Sequence, residues 1–144
     1  GAYVTYKILD LIHQINDRVD IVIGHIGLES YGDGTSSCDE VKLMTPLDIS
    51  RSVLRNRNIV IVDDCVETGK TIKEAKKILY PYNPLTISTA VLVDKIALRT
   101  RAGVHKPDIV GWKYEGEGFL VGCGMGAGEQ FRGLPEIHEV ILED

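Results

Sequence analysis

Three carboxylates fall within five positions, Asp63, Asp64 and Glu67, in the stretch IVIVDDCVETGKTI over residues 59–72. Immediately after them comes Gly69, which leads a turn into a helix. Such a turn presents free backbone N–H groups and the positive end of a helix dipole, and that combination binds phosphate. The acids need a separate reason, because carboxylates repel phosphate. They suit a ligand with a phosphate at one end and hydroxyls or a metal at the other. Capping of the following helix accounts for one acid at most.

Two glycine motifs lead elsewhere and fail on context. Gly69-Lys70-Thr71 ends like a nucleoside-triphosphate loop, but that loop needs glycine at position 64, where this chain has Asp. A carboxylate there would face the phosphates. GCGMGAG at 122–128 imitates a dinucleotide fingerprint, yet residues 129–135, EQFRGLP, make a poor helix. A bend with close backbone approach is expected instead. The four histidines, His13, His25, His105 and His138, show no ligand spacing and read as structural or surface groups.

The elements that must position the acids are legible in outline. Residues 3–15 place Val4, Ile8, Leu11, Ile12 and Ile15 at helical spacing. Val19, Ile21 and Ile23 alternate with apolar neighbours, so a strand buried on both faces is expected there. Residues 30–40 are polar and glycine-rich, a mobile loop or hairpin tip, and 40–44 form its returning strand. Residues 58–62 make a strong strand. A helix over 71–80 follows, with Ile72, Ala75, Ile78 and Leu79 inward, and Pro81 and Pro84 stop it. Further strands are expected at 86–94, 109–112, 119–122 and 139–142. Strand, helix and strand around the acidic loop make a right-handed βαβ unit, whose ligands bind at the strands' carboxyl ends.

Composition limits the alternatives. A chain of 144 residues with 44% hydrophobic and 26% charged residues is expected to form one domain spanning 1–144 with a single core. A net charge of −5 argues against nucleic acid as a partner. No apolar run is long enough for a membrane span, and no signal peptide is visible. Cys38, Cys65 and Cys123 lack metal-ligand spacing and are expected to be reduced thiols of a cytoplasmic protein.

Six pieces in register carry a resemblance: GAY (1–3), ESYGDGTSSCDEVKL (29–43), VDDCVETGKT (62–71), LVDK (92–95), KPDIVGW (106–112) and FLVGCGM with FRGLP (119–135). Together they resemble the type I phosphoribosyltransferases, in the hypoxanthine–guanine branch. The resemblance implies an α/β fold with a mostly parallel twisted sheet flanked by helices, a hairpin bearing a flexible loop, and a reduced hood. It also implies transfer of a phosphoribosyl group from phosphoribosyl pyrophosphate to a 6-oxopurine, with Mg²⁺ as cofactor. A homo-oligomer, dimer or tetramer, is expected.

On that resemblance, Asp63 and Asp64 hold the ribose hydroxyls, directly and through Mg²⁺. Thr68, Gly69, Lys70 and Thr71 wrap the 5′-phosphate, and Glu67 serves as the proton acceptor. Lys95 donates to the purine 6-oxo group, Phe119 stacks on the ring, and the backbone of Leu120 reads the base edge. Gly1 and Ala2 belong to the pyrophosphate loop, Arg132 contacts pyrophosphate, and Ser30 and Tyr31 head the closing loop. Trp112 matches a core aromatic.

Three departures stand out. Relatives carry Asp where this chain has Glu67, and a metal-binding Asp where it has Gly126, with Glu129 a nearby substitute. The third is that the sequence opens inside the pyrophosphate loop, so the chain is either trimmed or a reduced member of the family. Glu67 and Gly126 favour a rival reading, a non-catalytic protein that binds phosphoribosyl pyrophosphate or nucleotide in a regulatory role.

Overall fold

The computed structural model describes residues 1–31, 40–102, 106–128 and 130–140. Its centre is a parallel sheet of three strands, β3 (Asn58–Val66), β4 (Thr86–Lys95) and β5 (Ile109–Tyr114), in that order. The β3 and β4 sequences are dominated by Ile, Val, Thr and Ala. Such residues suit strands covered on their faces, as parallel strands joined by helices are.

Helix α1 (Ala2–Ile15) packs against β3 and buries Val4. Helix α3 (Lys70–Leu79) makes the β3-to-β4 crossover and buries Ala75 and Leu79. A single tight turn at Tyr80–Tyr82 ends it, with Asn83 in the left-handed region, which Asn tolerates better than most residues. Two short helices, α2 (Arg51–Leu54) and α4 (Ile96–Arg101), were not legible in the periodicity.

Beside the sheet lie two antiparallel pairs. β1 (Gly27–Tyr31) pairs with β2 (Glu40–Thr45), which is the expected hairpin. Its tip, 32–39, with Cys38, lies outside the described residues. β6 (Phe119–Val121) pairs with β7 (His138–Val140), placing Leu120 opposite Glu139. The expected continuation of that last strand through 142 also lies outside the described residues, as do His105 and Glu129.

Two expectations fail. Residues 19–23 form no strand: Ile21, Val22 and Ile23 are 37%, 51% and 37% exposed. Alternation marks side chains that suit burial, but a strand needs a neighbour to take its backbone hydrogen bonds, and β3 offers its ladder to β4 alone among the described strands. Trp112 is not core either. It lies on β5, the sheet's outer strand, 44% exposed, with its ring tilted against Tyr114 at 5.3 Å.

The core behind the site consists of Val93, Tyr114, Leu120 and Met125, with Cys65, Leu92 and Ile137 packed on it. Among the described residues no helix is long and apolar enough to cross a membrane.

Candidate active site at the carboxyl ends of β3 and β4

Register builds the site. In the parallel pairing Cys65 lies opposite Val93 and Val66 opposite Asp94, so Glu67, just past the end of β3, comes beside Lys95, the last residue of β4. The Lys95 ammonium donates to Glu67 Oε1. The two partners differ sharply in surroundings: the Lys95 side chain is 4% exposed and that of Glu67 48%. A buried lysine needs a partner, and here it has one from the neighbouring strand end.

Behind Lys95, Asp94 is fully enclosed and holds Arg99 of α4 by two bonds, Nε to Oδ1 at 2.6 Å and Nη2 to Oδ2 at 3.1 Å. Sequence reasoning missed this pair. The only signal was an Asp beside a candidate ligand, with an Arg one helical turn further on.

Asp63 and Asp64 stand earlier on β3. Asp63 Oδ1 accepts the amide of Asp64 at 3.0 Å, and Asp64 Oδ1 accepts that of Cys65 at 2.9 Å. Burial, then the adjacent Asp64 charge, pushes Asp63 up to about 6. Gly1 closes on this strand end. Its nitrogen lies 3.3 Å from Asp64 Oδ2 and 3.6 Å from Asp63 Oδ1, and a Cβ on it would sit 2.7 Å from the Val62 carbonyl oxygen. Only glycine permits that approach. Ala2 opens α1.

The glycine turn takes the expected form. Gly69 is the N-cap of α3 at φ +67°, and its carbonyl accepts the amide of Lys73. The helix therefore begins at Lys70 and Thr71, with Thr68 just before the turn, at the carboxyl end of β3.

A cavity of about 240 Å³ lies between these strand ends and the β6 side. Asp64, Glu67, Lys95, Phe119, Leu120 and Arg132 line it, six residues singled out in sequence. Cys65, Met125 and Gly126 complete the wall. Phe119 is 37% exposed and so is a cavity ring rather than core, while Leu120 is buried. Ser30 and Tyr31 end β1, paired with Val41 and Glu40, and the loop they head lies outside the described residues.

The 122–128 stretch makes a doubled-back turn, as its glycines require. Gly122 and Gly124 have φ of +94° and +96°, and a Cβ at Gly122 would lie 1.9 Å from the Glu136 carbonyl oxygen. Gly126 accommodates Arg132: a Cβ there would meet the Gln130 carbonyl oxygen at 2.5 Å and Arg132 Cγ at 2.6 Å. Arg132 crosses this gap and donates to the Gly124 carbonyl at 3.2 Å. A carboxylate side chain at 126 would displace it.

The cavity wall also holds a thiol. Burial pushes Cys65 up to about 12, with the surrounding carboxylates adding to the effect against Lys95.

Two acids at a strand end, a glycine turn into a helix, and a buried lysine and an aromatic ring on one cavity wall suit a ligand that is polar at one end and flat and apolar at the other. The comparisons agree. The family model for the phosphoribosyl transferase domain matches residues 9–121. The hypoxanthine phosphoribosyltransferase of Escherichia coli K12 is 31% identical over 132 residues, covering 91% of this chain and 68% of that enzyme. The hypoxanthine-guanine phosphoribosyltransferase of Aquifex aeolicus is 32% identical over 140 residues, covering 97% and 73%. The crystal structure of a hypoxanthine phosphoribosyltransferase from Staphylococcus aureus superposes with a TM-score of 0.77 at 29% identity, covering 93% of this chain and 68% of that one. The chain belongs to the phosphoribosyltransferase family.

Proposed function

We propose that this chain transfers the 5-phosphoribosyl group of phosphoribosyl pyrophosphate to a ring nitrogen of a 6-oxopurine, hypoxanthine, guanine or xanthine, releasing pyrophosphate and a nucleoside monophosphate. This is a purine salvage reaction. The observation that carries the base assignment is Lys95, a buried cation on the wall of the cavity that Phe119 also lines. A buried ammonium favours a ligand acceptor such as a 6-oxo group over a 6-amino donor.

The residues divide the work as follows. Phe119 stacks on the base, Lys95 donates to its oxo group, and the Leu120 backbone reads its edge. Glu67 lies within hydrogen-bond reach of Lys95, so its carboxylate sits beside the base and takes up the purine proton, a contribution typically of about 10²–10⁴-fold. Thr68, Gly69, Lys70 and Thr71 hold the 5′-phosphate, and Gly1, Ala2 and Arg132 face the leaving pyrophosphate.

Asp63 and Asp64 fit a hard divalent cation, since carboxylate oxygens are its preferred donors. No set of three or more ligand side chains occurs among the described residues. Substrate hydroxyls, pyrophosphate oxygens and water would complete the shell. When bound, Mg²⁺ supplies charge neutralisation for the leaving group.

A second reading is favoured by the Glu67–Lys95 ion pair and by the missing carboxylate at Gly126: a protein that binds phosphoribosyl pyrophosphate or nucleotide without turning it over. A coupled assay with hypoxanthine, guanine and xanthine separates the two. Nucleotide formed from at least one base supports the transferase. Saturable binding of phosphoribosyl pyrophosphate with no nucleotide from any base supports the binding protein.

A further inference from the structure

The base-stacking ring is held by a turn, and one hydroxyl holds the turn. Phe119 follows Gly118 directly, and the Gly118 amide donates to the hydroxyl of Tyr114 at 3.0 Å. Glu139 of β7 stands beside the same turn, against Gly118. The hydroxyl therefore ties the end of β5 to the 115–118 turn on the side where β7 lies.

Two glycines make this approach possible. A Cβ on Gly116 would lie 2.4 Å from the Tyr114 hydroxyl, and one on Gly118 would lie 1.8 Å from Glu139 Oε1. The Tyr114 ring, 7% exposed, packs in the same cluster as Leu120 and Met125, two residues of the cavity wall. Nothing in the proposed chemistry uses this buried hydroxyl, yet it accepts the backbone amide next to the stacking ring.

We propose that Tyr114 is a positioning residue for the base: its hydroxyl, accepting the Gly118 amide, fixes the Phe119 ring at the orientation in which it stacks on the purine. The inference rests on the purine reading of the cavity. Ordering the ring before binding removes an entropic cost from base association. It does nothing for the phosphate end of the site, which stands on β3 and α3. The signature is therefore a selective loss toward the base.

Tyr114→Phe tests this, because it keeps the packed ring and removes only the hydroxyl. Expected is a rise of about fivefold in the purine KM, the factor that the net worth of one hydrogen bond gives. The KM for phosphoribosyl pyrophosphate stays within about twofold, since the phosphate turn is separate and distant sites act independently. Hydrogen exchange at the Gly118 amide should quicken in the variant.

Equilibrium titration with inosine and guanosine monophosphates runs alongside, so that affinity is read even without turnover. A parent chain that binds neither nucleotide and uses no base sinks the purine reading itself. A parent that binds them while Tyr114→Phe binds equally well overturns the positioning role alone. An equal loss toward both substrates, tracking a drop in melting temperature, also overturns it, since that marks Tyr114 as core packing only.

Discussion

Glu67 is where chemistry and sequence diverge most at the level of single residues. In the proposed reaction it takes the proton-acceptor role, and its carboxylate accepts from Lys95. Glu67→Asp should preserve or raise turnover in the coupled assay, and Glu67→Gln should lower it by about 10²-fold or more if the carboxylate takes the proton. A Gln variant as active as its parent would remove Glu67 from that role.

Asp63 yields a prediction of a different kind. Its folded value of about 6 lies above the ordinary 3.8. A raised acid contributes stability below its unfolded value and loses it as pH climbs through the folded one. Ionised Asp63 therefore weakens the fold at pH 8. Without divalent cations, Asp63→Asn should raise stability there by roughly 1–3 kcal/mol and change little at pH 4, as read by thermal melts. Activity should fall in the same variant, because a ribose ligand is lost.

At the level of elements, the turn into α3 was legible because glycine leaves few options. Gly69 at φ +67° does what the sequence pattern asks of it. Gly69→Ala forces a Cβ into the left-handed region, at a cost of about 1–2 kcal/mol. The phosphate amides should tilt with it, so the KM for phosphoribosyl pyrophosphate should rise more than that for the base.

Less of the rest could be read. Residues 19–23 alternate as a strand does, but side-chain preference cannot supply the partner that a strand requires. Lys95 looks in sequence like a solvated strand end. Its burial depends on the parallel register with β3 and on the Asp94–Arg99 pair behind it, neither of which is local. Phe119 was equally readable as core or ligand, and only its exposure on the cavity decides. The acids, the glycine turn and their order along the chain were legible because each has a local chemical reason.

At the scale of the molecule, core and site share a wall. Val93 is completely enclosed and touches the cluster of Tyr114, Leu120 and Met125, while Lys95 lies two residues further along the same strand. Val93→Ala should cost about 2 kcal/mol by cavity formation, measured by denaturant unfolding. The damage should reach function as well, as a weaker base KM, because the emptied space lies directly behind the residues that shape the pocket. A stability loss with unaltered kinetics would show that the wall tolerates repacking.

The partly buried sulfur of Cys65 on the cavity wall has a practical consequence. A thiol held near 12 is almost wholly protonated at pH 8, and alkylating reagents and peroxide attack the thiolate. Iodoacetamide at that pH should label Cys65 roughly a thousandfold more slowly in the native protein than in denaturant. Preparations left in air should therefore keep this position intact without added reductant, and mass spectrometry of the peptide carrying it would detect any failure.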